Sequence, residues 1–225
     1  MFPKLTYGVL CGCSKVAALA LWAGTQPVAA SAETIHLLAL GDSLTQGYGL
    51  MEEEGFVPQL RDWLTENGHD VRVVNGGVSG DTSAGGLSRV EWSLTPEIEG
   101  MIVTFGGNDL LRGIDPAVTR ANVKGILEVA EENDVEVLLI GMQAPGNYGA
   151  TYKADFDALY PELAEEYGTL YLDSFFAGLM EDGEVPEDRS AVMQADGIHP
   201  NADGVKRIVD VVGPKVEELI ARIGS

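Results

Sequence analysis

Beyond Glu33 the chain alternates short apolar, β-branched runs with longer stretches whose apolar residues recur every three or four positions. The short runs, at residues 35–40, 71–74, 101–105, 135–142 and 169–172, have the length and composition of strands, and each ends at polar or glycine-rich residues. The longer stretches, at 56–66, 82–94, 116–132, 156–166 and 203–223, read as helices. Asp115 followed by Pro116 predicts an N-cap with proline in the first turn. Near-continuous apolar strands separated by helices describe a parallel sheet covered on both faces, because strands buried on both sides have no polar alternation. No internal repeat, linker or low-complexity segment interrupts the pattern, which predicts one doubly wound α/β domain over residues 33–225 with a five-stranded parallel sheet. Reactive groups then belong on loops at the carboxyl ends of the strands, where they converge on one crevice.

The first 32 residues break this pattern. Lys4 and Lys15 are the only charges before Glu33, residues 16–22 are an unbroken apolar run of seven, and Ala30-Ser31-Ala32 is a small-x-small triplet. Together they predict a cleaved signal peptide over residues 1–32, with a run too short to span a bilayer. A buried N-terminal helix and lipidation of Cys13 within Leu10-Cys11-Gly12-Cys13 are the alternative readings of the segment. Cleavage removes both cysteines of the chain, Cys11 and Cys13, and with them any disulfide framework, cysteine nucleophile or thiolate metal site. The expected location is the periplasm or the medium, with no stable membrane insertion after cleavage.

Charge narrows the partners. There are 35 acidic and 14 basic residues, a net charge of −21 that becomes −23 once Lys4 and Lys15 leave with the leader. Such a surface is repelled by phosphate backbones and anionic membranes, within a screening length of about 8 Å, so nucleic acid is not an expected partner. The acidic runs at 52–54, 131–132, 165–166 and 181–188 read as solvated faces.

Candidate chemistry sits where the strands end. Ser43, in Gly41-Asp42-Ser43-Leu44, follows the first strand, with a glycine in front that permits a tight turn. Alone, such a serine is more often a helix N-cap than a nucleophile. A nucleophilic serine needs a base, and the chain holds three histidines: His36 inside the first strand, His69 in an Asn-Gly-His-Asp turn, and His199. Polar filling of a strand and of a turn accounts for the first two, whereas His199 lies just before the last helix with an aspartate three residues upstream. In Asp196-Gly197-Ile198-His199-Pro200 a local turn can set Asp196 against imidazole Nδ1 and leave Nε2 for the serine proton. On its own this Asp-x-x-His could also be a helix cap or half of a metal site with Asp42 and Asp109, although one histidine and dispersed carboxylates make a poor transition-metal site. Two further glycine-rich loops, Asn75-Gly76-Gly77-Val78-Ser79-Gly80-Asp81-Thr82 and Gly106-Gly107-Asn108-Asp109, follow the second and third strands. A glycine N–H and an asparagine amide are the uncharged donors that a tetrahedral oxyanion requires; close backbone packing is the plainer reason for glycine in either loop.

These four segments, in this order, resemble those of the SGNH hydrolases, also called GDSL esterases and lipases. Within them the chain is similar to the bacterial periplasmic arylesterases and the acyl-CoA thioesterase I / lysophospholipase L1 group. The resemblance extends over the whole mature chain and implies a three-layer αβα, flavodoxin-like fold. It further implies that Ser43 is the nucleophile, His199 the general base and acid, and Asp196 the orienting carboxylate, with Ser43 N–H, Gly80 N–H and the Asn108 amide as the oxyanion hole. Asp42, Gly107, Pro145, Asn147 and Tyr148 are assigned to substrate binding, the last three because Pro145-Gly146-Asn147-Tyr148-Gly149 resembles the acyl-pocket loop. Gly146 departs from the proline or alanine expected there. The implied reaction is cofactor-free hydrolysis of a small carboxylic ester. Thioester or lysophospholipid hydrolysis, acyl transfer to an alcohol, and a catalytically silent binding module are the competing readings.

Overall fold

The computed structural model describes residues 1–4, 6, 8, 34–180 and 189–224. The chain separates into two units, Met1–Ala32 and Glu33–Ser225, and the fold below is that of the second. The expected leader features at 10–32 and the acidic run at 181–188 lie outside the described residues.

The strands are β1 (Ile35–Gly41), β2 (Val71–Gly77), β3 (Gly100–Thr104), β4 (Glu136–Ile140) and β5 (Leu170–Leu172). The helices are α1 (Ser43–Gln46), α2 (Phe56–Glu66), α3 (Ser83–Ser93), α4 (Gly107–Leu111), α5 (Pro116–Glu132), α6 (Ala150–Tyr167) and α7 (Ala202–Ile223). All strand pairs are parallel, in the order β2-β1-β3-β4-β5. This is the flavodoxin-like order, in which the chain winds outward from β1 to β2 and then back across to β3, opening a crevice between the carboxyl ends of β1 and β3. Helices α3, α5 and α6 pack together on one face, and α2 and α7 on the other, giving the expected three layers. The core is the aliphatic filling between them, with Leu37, Leu40, Val103, Leu138 and Leu139 fully buried in the sheet itself.

Several element ends follow from local chemistry. The Asp115 carboxylate accepts a hydrogen bond from Ala117 N and caps α5, with Pro116 in its first turn. Strand β2 runs to Gly77, three residues beyond the expected 71–74, because Asn75, Gly76 and Gly77 pair with Ala39, Leu40 and Gly41. The ladder of β1 overrides the poor strand propensity of glycine there. Conversely, β4 is shorter than the expected 135–142. Helix α6 begins at Ala150 rather than 156, preceded by Gly149, which offers no side-chain cap to mark the start.

Register positions the site. Gly41 pairs with Gly77 on one side and Thr104 on the other, so the segments that follow β1, β2 and β3 leave the sheet at one level. Ser43, Gly80 and Asn108 lie two, three and four residues past those positions. Gly41 itself needs no left-handed backbone, contrary to the tight-turn expectation. A Cβ there would stand 2.8 Å from Thr104 O and 2.1 Å from Thr45 Oγ1, so close approach, not turn geometry, excludes a side chain.

Candidate active site

Ser43 is the first residue of α1, where backbone N–H groups have no partner within the helix. Asp42 caps this turn, its Oδ1 accepting from Leu44 N at 3.0 Å. Ser43 Oγ lies 2.9 Å from His199 Nε2, and His199 Nδ1 lies 2.7 Å from Asp196 Oδ2. The other oxygen of Asp196 accepts from Ile198 N and His199 N at 2.9 and 3.0 Å, the local turn expected of the Asp-x-x-His spacing. Those bonds, the imidazole first and the two amides after it, hold the Asp196 carboxyl down at about 2. An ionised Asp196 keeps the proton on Nδ1 and turns the Nε2 lone pair toward the serine hydroxyl.

The second and third loops close around this pair. Gly80 adopts φ +84°, a left-handed conformation that favours glycine, and its carbonyl accepts from Arg112 Nη2 at 2.7 Å. Asn108 begins the second position of α4 and donates Nδ2–H to Asp42 Oδ2 at 3.3 Å. Ser43, Gly80, Asn108 and His199 line one cavity of about 460 Å³, together with Asp42, Gly107, Pro145, Asn147 and Tyr148. Every sequence-predicted site residue therefore meets there except Asp196, which stands behind His199. Asp42 reaches the cavity only marginally, being 1% exposed, and its carboxylate is spent on Leu44 N and Asn108. Its geometry is that of a brace between α1 and α4.

Burial pushes the Asp42 carboxyl up to about 6, against the opposing pull of its hydrogen bonds from Leu44 and Asn108 and of the nearby imidazole. A carboxyl raised on folding stabilises the fold while protonated. That contribution is complete below about pH 4 and disappears as pH rises through about 6, a loss on the order of 3 kcal/mol for a shift of roughly two units. Asp42→Asn removes the titration. Urea unfolding at pH 4 and pH 8 should therefore show the variant gaining on the wild type by up to about 3 kcal/mol over that interval; parallel curves would rule out the perturbed carboxyl.

Sequence reasoning missed the residues that hold this arrangement together. Arg89, on α3 and only 8% exposed, donates Nε–H to Asp81 Oδ2 and Nη2–H to Gly41 O, both at 2.8 Å, with its guanidinium 5.8 Å from the Phe105 ring centre. One side chain thus ties the ends of β1 and β3 to the loop of Gly80. Its signal was a single arginine on the buried side of a helix. Asp109, beside Asn108, is fully buried and accepts from Ser83 N, Ser83 Oγ and Thr119 Oγ1, locking α4 to α3 and α5. Among the described residues no three His, Cys, Asp or Glu side chains converge as a metal-ligand set. The cavity walls include Leu110, Leu111, Met142, Phe176 and Met193, none of which a sequence motif marks. The remaining histidines are elsewhere: His36 lies in β1, and His69 Nε2 bonds Glu217 at 2.8 Å.

Comparison with known proteins places this geometry among relatives. Residues 39–207 match the GDSL-like lipase/acylhydrolase family. The chain is 38% identical to esterase TesA of Pseudomonas aeruginosa over 94% of its own length and 98% of that protein. It is 37% identical to thioesterase 1/protease 1/lysophospholipase L1 of Escherichia coli, over 85% of its own length and 87% of that protein. The solved structure of AlinE4, an SGNH-hydrolase family esterase, superposes with a TM-score of 0.68 at 41% identity, covering 83% of this chain and 96% of AlinE4.

Proposed function

The chain belongs to the GDSL-like lipase/acylhydrolase family and is a serine esterase, and from that premise we propose that it cleaves short-chain aryl and alkyl esters through an acyl-enzyme on Ser43. The observation that carries the proposal is the unbroken hydrogen-bonded line Ser43 Oγ, His199 Nε2, His199 Nδ1, Asp196 Oδ2, opening onto a cavity that Gly80 and Asn108 also line. His199 takes the hydroxyl proton as Oγ attacks the ester carbonyl. Negative charge on the carbonyl oxygen is met by Ser43 N–H, Gly80 N–H and the second N–H of the Asn108 amide, whose first is held by Asp42. The alcohol departs with the proton carried by His199. Water then attacks the acyl group by the same route and regenerates the serine. Asp196 stays ionised throughout and stabilises the imidazolium.

A cavity of about 460 Å³ with aliphatic and thioether walls is of a size to hold an aryl ester. A surface of net charge −23 after leader removal disfavours polyanionic substrates such as coenzyme A thioesters, and an exported enzyme does not meet the cytosolic pool. Export, with Glu33 as the first residue, rests on the leader pattern; among the described residues no helix is long and apolar enough to cross a membrane. The test uses the exported chain, sequenced from its N-terminus and assayed on p-nitrophenyl esters, lysophospholipids and acyl-CoA thioesters of graded acyl length. Highest kcat/KM on the short aryl esters is expected. A preference for thioesters would overturn the substrate reading, and a retained residue 1–32 segment the export reading.

A further inference from the structure

An aromatic ring from outside the cavity lining packs against His199. Tyr48 packs on the imidazole with ring centres 4.7 Å apart and planes tilted by 40°. It is half exposed and contributes nothing to the lining of the substrate cavity. Its backbone hangs from the nucleophile's own turn: Gly47 N and Tyr48 N both donate to Ser43 O at 3.1 Å. The same segment is tied to the histidine. Gln194 donates Nε2–H to Tyr48 O at 2.8 Å and to Pro200 O at 2.9 Å, and Gln194 N donates to His199 O at 2.8 Å. Ser43 and His199, 156 residues apart, are thus joined twice: through their own hydrogen bond, and through Tyr48 with Gln194 behind it.

We propose that Tyr48 is a positioning residue for the general base, holding the imidazole plane against Ser43 with its ring face and favouring the imidazolium that appears in the transition state. Two observations call for such a support. The carboxylate partner is solvated, the Asp196 side chain being 37% exposed, so water screens much of its attraction for the imidazolium. And the 4.7 Å separation lies within the range at which a cation is attracted to an aromatic face. Among the described residues the phenol hydroxyl makes no hydrogen bond; the ring is what meets His199.

The inference rests on His199 acting as the base for Ser43, and its test separates the two. Tyr48→Ala, Tyr48→Leu and Tyr48→Phe are compared with the wild type for kcat and KM on p-nitrophenyl butyrate and for the rate at which a fluorophosphonate labels Ser43. The alanine and leucine variants should lose about ten-fold in kcat and in labelling rate, with KM within two-fold of the wild type and an unchanged melting temperature. Phenylalanine should restore both rates to within two-fold. Wild-type kcat in Tyr48→Ala, full rescue by leucine, or failure of phenylalanine to rescue would each overturn the role of the ring while Ser43→Ala stayed inactive. An active Ser43→Ala enzyme would instead remove the catalytic reading beneath it.

Discussion

Ser43→Ala protein is expected to fold normally and to retain no more than about one part in 10⁴ to 10⁶ of the wild-type kcat on p-nitrophenyl acetate. Folding should survive because the substitution removes a single hydroxyl from a residue whose helix is capped by its neighbour. Asp42 still accepts from Leu44 N, and the α1 turn keeps its backbone bonds from Gly47 and Tyr48 to the carbonyl of residue 43. Activity should not survive, because His199 would be left with water as the only acyl acceptor, unheld and unoriented. A far-ultraviolet spectrum and melting temperature matching the wild type would assign the loss to chemistry. Turnover within ten-fold of the wild type would sink the nucleophile assignment.

Asn108→Ala should lower kcat by roughly 10² to 10³ while leaving KM within a few-fold, the usual result of deleting one oxyanion donor. The amide is already oriented before substrate arrives, since one of its N–H groups is engaged by Asp42 at 3.3 Å and the other is left for the cavity. Such preorganisation is what makes a neutral donor effective in the transition state. Steady-state kinetics on an aryl ester measures the split between the two constants. An equal rise in KM with unchanged kcat would mean that the amide binds ground-state substrate, and the oxyanion role would have to pass to other groups. The Asp42 brace predicts a related pattern, because Asp42 sets the direction in which Asn108 points.

The candidate nucleophile and both donor loops were legible along the chain because each sits in a short motif beside a strand end, and the candidate base because of its Asp-x-x-His spacing just before the last helix. Helices α2 and α5 were bounded correctly because turn and cap residues mark an end of each. Asn67-Gly68 ends the first, and Asp115-Pro116 opens the second. Helix α6 was read short, although Tyr148, Tyr152, Phe156 and Tyr160 at four-residue spacing form a continuous aromatic ladder in the structure. A glycine cap hid its beginning. Helices α1 and α4 were missed entirely, since four and five residues are too few to display a 3.6-residue period. They are the two helices that carry Ser43 and Asn108.

Motifs and the resemblance they carry identified the reaction class, periodicity the order of strands and helices, and the candidate residues lay in short segments whose geometry is local: a turn of three residues sets Asp196 against His199 whatever the remainder of the chain does. Which groups meet across the crevice was decided by packing. Sheet order and register bring Gly41, Gly77 and Thr104 level, and no local pattern carries that information. The ionisation of Asp42, the ties made by Arg89 and the ring of Tyr48 on His199 likewise arise from side chains contributed by distant segments. Desolvation and hydrogen-bond geometry are sums over neighbours in space, and the chain order does not name those neighbours until it has folded.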